Sequence, residues 1–201
     1  MGVLVGRSAP DFCAPAVLGN GEIVENFCLA DTIRGKAAVI FFYPLDFTFV
    51  CPTELIAFDK RLDAFKERNV EVIGVSIDSH YTHNAWRNTP VDKGGIGPVR
   101  YTLVADLNHN IAKAYDVETP DGMVAFRGSF LIDKTGIVRH QVINDLPLGR
   151  NIDEMIRMVD ALVFHEQHGE VCPAGWQKGA TGMKDTPEGV ASYLSENANA
   201  L

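Results

Sequence analysis

Cys51 is placed where a thiol can do chemistry. It closes the run Phe41-Phe-Tyr-Pro-Leu-Asp-Phe-Thr-Phe-Val-Cys51, in which an apolar stretch ends at Pro44, Thr48 supplies a hydroxyl, and Pro52 follows the thiol directly. Proline favours the first turn of a helix, so the sequence predicts that Cys51 stands at a helix start. Backbone N–H groups there lack partners and the helix dipole is positive, and both favour thiolate over thiol. The thiolate is the nucleophile of sulfur chemistry, so the placement points to catalysis rather than packing.

Two elements must position this thiol. Residues 37–43 form a continuous apolar run, as expected of a strand buried on both faces. From Pro52, Leu55, Phe58, Leu62 and Phe65 recur at spacings of three and four, which predicts an amphipathic helix to about Asn69. Residues 71–78 read as a second buried strand, giving a β-α-β unit with parallel strands. Further on the pattern predicts a short helix over 84–87, a loop over 90–98, a strand over 101–105 and a short helix over 110–115. Strands over 124–132 and 137–142 flank the hairpin signal Asp133-Lys-Thr-Gly136. Asn151 can cap a helix running to about His165. After Gly169 the composition turns Pro-, Gly- and polar-rich, and its marked feature is Glu170-Val-Cys-Pro-Ala-Gly-Trp176. The expectation is an α/β domain with a central mixed sheet over 1–168, and a C-terminal arm over 169–201 that carries Cys172.

The bulk properties bound the function. A net charge of −8 over 201 residues argues against nucleic acid or an acidic membrane surface as partner. The N-terminus lacks the charged and apolar segments of a secretory signal, and no apolar run approaches the length of a membrane span. The expected compartment is therefore a reducing cytoplasm. In that setting the four cysteines (13, 28, 51 and 172) do not predict structural disulfides, and none are spaced as Cys-x-x-Cys. The six histidines show no metal-ligand spacing; His80 and His83 are better explained by local polar contacts. No haem, flavin or nucleotide motif is present, so no cofactor is expected.

Pro44-x-x-x-Thr48-x-x-Cys51 resembles the active-site signature of the peroxiredoxins. His168-Gly-Glu-Val-Cys-Pro-Ala-Gly-Trp176 resembles the resolving-cysteine segment of the typical 2-Cys subgroup. Matching segments run from Ala9-Pro-Asp-Phe12 through Ser76-Ile-Asp-Ser-His80 and Arg127-Gly-Ser-Phe-Leu-Ile-Asp133 to Asn144-Asp-Leu-Pro-Leu-Gly-Arg150, nearly the whole chain. The resemblance implies a thioredoxin-like fold and a thiol peroxidase acting on H2O2 and small organic hydroperoxides.

It also implies roles. Cys51 attacks the peroxide and becomes sulfenic acid, and Arg127 supplies a guanidinium that favours the thiolate and holds a peroxide oxygen. Thr48 contributes a hydroxyl, Pro44 shields the pocket, Glu54 orients Arg127, and Arg150 adds a second positive charge. Cys172 resolves the sulfenic acid from the other subunit of a homodimer, within a decamer, and thioredoxin or a dedicated reductase recycles the disulfide. Cys13 and Cys28 match neither role and are read as packing residues. A ring-forming holdase chaperone or a redox-signalling protein is the alternative. A general dithiol reductase is disfavoured, because Glu54 stands where Cys-x-x-Cys needs its second thiol. Easily over-oxidised members carry Gly-Gly-Leu-Gly and a C-terminal Tyr-Phe. Gly94-Gly-Ile-Gly97 and Tyr193-Leu194 here predict intermediate sensitivity.

Overall fold

The apolar run ahead of Pro44 becomes an interior strand of a seven-stranded mixed sheet. A computed structural model describes residues 2–200, and the chain divides into two units, one ending at Ile152 and the next beginning at Asp153.

In the first unit, β1 (Cys13–Val17), β2 (Ile23–Cys28) and α1 (Leu29–Thr32) precede β3 (Ala37–Phe42). Then come α2 (Cys51–Lys60), α3 (Leu62–Glu67), β4 (Val70–Ser76), α4 (His80–Asn88), β5 (Thr102–Ala105), α5 (Asn110–Ala114), β6 (Arg127–Ile132) and β7 (Val138–Asn144). The strand order is β2-β1-β5-β4-β3-β6-β7, with β3–β4 and β4–β5 parallel and the remaining pairs antiparallel. Val39 to Phe42 are fully buried, as a strand covered on both faces requires. Gly74 on β4 stands opposite Phe41, and a Cβ there would come within 2.9 Å of the Phe41 ring. The glycine makes room for that ring, which stacks on Phe58 at 4.0 Å between centroids.

Several elements differ from the sequence expectation. The single helix predicted from Pro52 to Asn69 is interrupted at Arg61, whose backbone (φ −106°, ψ 4°) leaves the helical region. The apolar spacing continues across the break because α2 and α3 present the same side to the sheet, burying Leu55, Phe58, Leu62 and Phe65. β6 begins at Arg127 rather than residue 124, because Thr119 closes a turn by hydrogen bonding Val124. The N-terminal hairpin β1–β2 was absent from the sequence reading: Pro15 cannot donate to a ladder and masks the strand pattern, and a bulge lies between Ala14 and Ala16.

Cys13 and Cys28 are a further correction. They are paired as a disulfide, with Cα atoms 4.1 Å apart, and are not free packing residues. The register of the hairpin sets them directly opposite each other.

The second unit contains α6 (Ile152–His168), nearly all of it, and α7 (Pro187–Asn197). The segment between them is pinned rather than loose. Phe164 packs on Trp176 at 4.8 Å between centroids, Arg157 Nη1 donates to the Trp176 carbonyl at 2.9 Å, and Val171 bridges Met183. α7 starts at Thr186, whose side chain accepts from Gly189 N at 3.0 Å, with Pro187 at the first helical position.

Candidate active site

β3 delivers the chain to the site, and β6, its antiparallel neighbour, brings Arg127 to the same end. That end is the carboxyl edge of the parallel strands, where ligand sites of α/β sheets form. Cys51 is the first residue of α2 and is 1% exposed.

Four of the predicted residues form one bonded cluster. Arg127 Nη1 donates to Cys51 Sγ at 3.4 Å and to Glu54 Oε2 at 2.7 Å, while its Nε donates to the Leu146 carbonyl at 2.7 Å. Arg150 grips the same carboxylate: its Nε and backbone N–H each reach Oε1 at 2.8 Å, and Nη2 reaches Oε2 at 3.0 Å. Arg150 Nη1 also donates to the Gly128 carbonyl and to Ser129 Oγ. Its guanidinium lies 5.4 Å from the Phe41 ring centroid, within cation–π range. The side chains of Glu54, Arg127 and Arg150 are 2–4% exposed. Burial alone would push the Glu54 carboxyl up, but hydrogen bonds and charge from Arg150, then charge from Arg127, hold it below the usual carboxylate value.

The cluster therefore holds two guanidinium charges, one carboxylate and a thiol. The charged Arg127 donor points at that sulfur. The structure thus brings Cys51, Glu54, Arg127 and Arg150 together at one place.

Pro44 and Thr48 lie in the loop from β3 to α2. Pro44 is buried and Thr48 partly so, its hydroxyl donating to the Leu45 carbonyl at 2.9 Å. The loop is fixed by groups that sequence reasoning did not assign to the site. Asp46 accepts from Tyr43 Oη at 2.9 Å and pairs with His83 Nδ1 at 2.7 Å, while His83 Nε2 faces the Val104 carbonyl at 3.1 Å. Phe47, which follows, has φ of 52°, a backbone region that bulky residues rarely adopt. The alternation of Asp46 with aromatic residues carried no separate signal in the sequence. Phe41, beneath Arg150, was legible only as core.

Cys172 belongs to the second unit. Its Sγ contacts the Ala161 carbonyl at 3.5 Å. Burial pushes this thiol above its ordinary value, with the Arg157 charge opposing.

Fold and site together define a thiol-dependent oxidoreductase, since the one reactive-type side chain in the cluster is a buried sulfur held beneath a paired guanidinium. Comparison with known proteins narrows the class. Residues 5–141 match the AhpC/TSA family, and residues 161–196 match the C-terminal domain of 1-Cys peroxiredoxin. The chain is 61% identical to alkyl hydroperoxide reductase C of Helicobacter pylori, over 99% of this chain and 100% of that one. It is 50% identical to peroxiredoxin-1 of Gallus gallus over 96% of each. Reduced 2-Cys peroxiredoxin of Plasmodium vivax superposes with a TM-score of 0.93 at 51% identity, covering 96% of this chain and 99% of that chain.

The chain belongs to the AhpC/TSA family, the peroxiredoxins, and its fold is thioredoxin-like. It is a peroxidase of the oxidoreductase class.

Proposed function

We propose that Cys51 is the peroxide-attacking residue and Cys172 the resolving one. The observation that carries the first assignment is the Arg127 guanidinium 3.4 Å from Cys51 Sγ, itself fixed by Glu54 and Leu146. The thiolate attacks one peroxide oxygen, an S–O bond forms as the O–O bond breaks, and the leaving oxygen departs as alkoxide or hydroxide. Arg127 stabilises the charge moving onto that oxygen, and Thr48 accepts a hydrogen bond from the peroxide. Arg150 and Glu54 hold Arg127 in place, and Pro44 excludes water. A proton completes the alcohol or water product.

The Cys51 sulfenic acid then condenses with the Cys172 thiol, forming the disulfide and releasing water. The reading extends to a Cys172 supplied by the partner of a homodimer within a decamer, and to a thioredoxin-like dithiol reductant that restores both thiols. Two facts support it: peroxiredoxins are typically oligomeric, and the chain resembles a solved 2-Cys member over nearly its full length. The arm that delivers Cys172 begins after His168, where α6 ends. We also place the protein in the cytoplasm, where the dithiol reductants this cycle needs are maintained. Separately, no helix among the described residues is long and apolar enough to cross a membrane.

Peroxide consumption coupled to a thioredoxin system tests the scheme. Cys51→Ser abolishes turnover. Cys172→Ser consumes about one equivalent of peroxide per chain and then stops. Full activity in Cys51→Ser, or sustained wild-type turnover in Cys172→Ser, overturns the corresponding assignment.

A further inference from the structure

The Cys13–Cys28 disulfide lies outside this site. β1 is three strand positions from β3 in the sheet, a lateral offset of about 14 Å at the usual strand spacing. Disulfide exchange needs Cα atoms within about 7 Å, so the pair cannot exchange with Cys51 of its own folded chain. Its chemistry, if any, is with an external thiol.

The surroundings are built for access. β1 is covered by β5 only at Ala16 and Val17, so the stretch from Cys13 to Pro15 has β2 as its one ladder partner. The bulge between Ala14 and Ala16 separates that stretch from the rest of the ladder. On the side that β5 leaves open lies a cleft of about 400 Å³, lined by Phe12, Cys13, Pro15, Leu107 and Ile111 among others. Cys13 is exposed and lines this cleft. Cys28 is half-buried, does not line it, and receives a contact from Asn26 Nδ2 at 3.6 Å. The two residues are thus unequal: Cys13 is exposed at an opening, and the Cys28 sulfur sits beside a donor able to stabilise a departing thiolate.

We propose that Cys13–Cys28 is a second thiol–disulfide exchange site, reduced by external dithiols through attack at Cys13. A dithiol thiolate attacks Cys13 Sγ, the Cys13–Cys28 bond breaks, and Cys28 leaves as a thiolate next to Asn26. The second thiol of the reductant, once deprotonated, attacks its own sulfur in the mixed disulfide. Cys13 is expelled as a thiolate and the reductant is released as a cyclic disulfide. Two electrons pass to the protein, and the two protons lost by the reductant protonate Cys13 and Cys28. The reverse reaction restores the pair. Because the hairpin end near Cys13 has no second strand to hold it, reduction loosens the wall of the cleft without opening the sheet.

The test uses the Cys51→Ser/Cys172→Ser chain, so its outcome is independent of the peroxidase reading. The protein is equilibrated with graded ratios of reduced to oxidised dithiothreitol, labelled with a maleimide, and weighed. Labels mapped by peptide mass on the unsubstituted chain provide the same count without substitutions. The expected result is a reversible passage from zero to two labels, at Cys13 and Cys28, with far-ultraviolet circular dichroism unchanged. A pair that stays unlabelled until the chain unfolds is a structural staple and overturns the proposal. A pair labelled in air without any dithiol is no disulfide and also overturns it. With a monothiol such as glutathione in place of the dithiol, the mixed disulfide is trapped and mapped by peptide mass. The adduct should sit on Cys13, leaving Cys28 as the free thiol. An adduct on Cys28, or an equal mixture of the two, refutes attack at Cys13.

Discussion

Glu54→Gln isolates what the carboxylate does for the site. The substitution keeps the shape and one acceptor oxygen but removes the charge. Glu54 accepts four hydrogen bonds, one from Arg127 and three from Arg150, all in a cluster whose side chains are 2–4% exposed. Glutamine sets an NH2 group against one of the two guanidinium groups, donor facing donor, and deprives both charges of the carboxylate they share. Removing one partner of a buried ion pair costs about 3–5 kcal/mol. For a chain of this size that lowers the melting temperature by about 6–20 °C. Arg127 also loses the contact that aims its Nη1 at Cys51, and a misplacement on the order of 1 Å costs about 100-fold in rate.

Thermal unfolding of the reduced protein and stopped-flow oxidation of Cys51 by H2O2 read the two effects. Arg150→Met in the same background separates orphaned charge from lost shape: the double variant should be destabilised by less than the sum of the singles, by about 1 kcal/mol or more. The acid limb follows from the sign of the Glu54 shift. Its carboxyl is held below the usual value, so its contribution is complete above about pH 4.3, the ordinary glutamate value, and is lost as pH falls through the lower folded value. Wild type and Glu54→Gln should therefore converge in stability at strongly acid pH. A variant with wild-type melting temperature and wild-type oxidation rate at neutral pH refutes the idea that Glu54 organises the site.

The resolving step should be slow at neutral pH and accelerate into the alkaline range, because burial raises the Cys172 thiol and the thiolate is the attacking form; rapid-quench trapping of the Cys51 sulfenic acid measures it, and a rate flat from pH 7 to 9 counts against Cys172. Arg157→Met removes the charge that opposes that rise, so resolution should slow at pH 7.5 while the first oxidation of Cys51 stays at the wild-type rate. Peroxide titration at steady turnover should show intermediate inactivation, given Gly94-Gly-Ile-Gly97 and Tyr193-Leu194. Inactivation as ready as in relatives with Tyr-Phe, or complete resistance, rejects that expectation.

The chemistry was more legible in the sequence than the frame around it. Pro52 after Cys51, following a buried strand, located the thiol at a helix start, because a helix start is a local property of a few residues. Arg127 and Arg150 are 76 and 99 positions away from Cys51, and physics alone offered no reason to join them to it; the family resemblance did. The N-terminal hairpin was missed although its turn was written plainly. Asn20-Gly21 is a strong hairpin signal, Gly21 has φ of 90°, and Cys13 and Cys28 lie seven residues before Asn20 and seven after Gly21. The count alone does not pair them: near the turn Val17 pairs with Ile23, and the bulge between Ala14 and Ala16 brings Cys13 opposite Cys28. A reducing compartment also argues against a disulfide there. Likewise Thr186-Pro187-Glu188 carries the cap, the proline and the acid of a helix start, and the polar composition around it concealed α7.

The geometry that holds Cys51 also sets how it can be released. The proposed bond to Cys172 requires short Cα separation, so on that proposal a thiol 1% exposed at the first helical position leaves its place. α2 begins without a side-chain cap: its N-cap is Val50, and Glu54 N reaches the Val50 carbonyl only at 3.4 Å. A capping side chain would add about 1 kcal/mol to that first turn, and its absence makes unwinding there correspondingly easier. Unwinding is stopped one turn in, because Glu54 is bound to both arginines. On the proposed cycle, the cluster divides the helix into a short segment that frees Cys51 and a remainder anchored through Glu54 to Arg127 and Arg150. Replacing exposed Thr53 with Ala separates these roles: higher helix propensity in that turn, about 0.5 kcal/mol, should slow disulfide formation while leaving thermal stability equal to or above wild type. Slower resolution joined to a lower melting temperature would show instead that the substitution damaged the site, and unchanged resolution would show that the first turn of α2 does not gate the step.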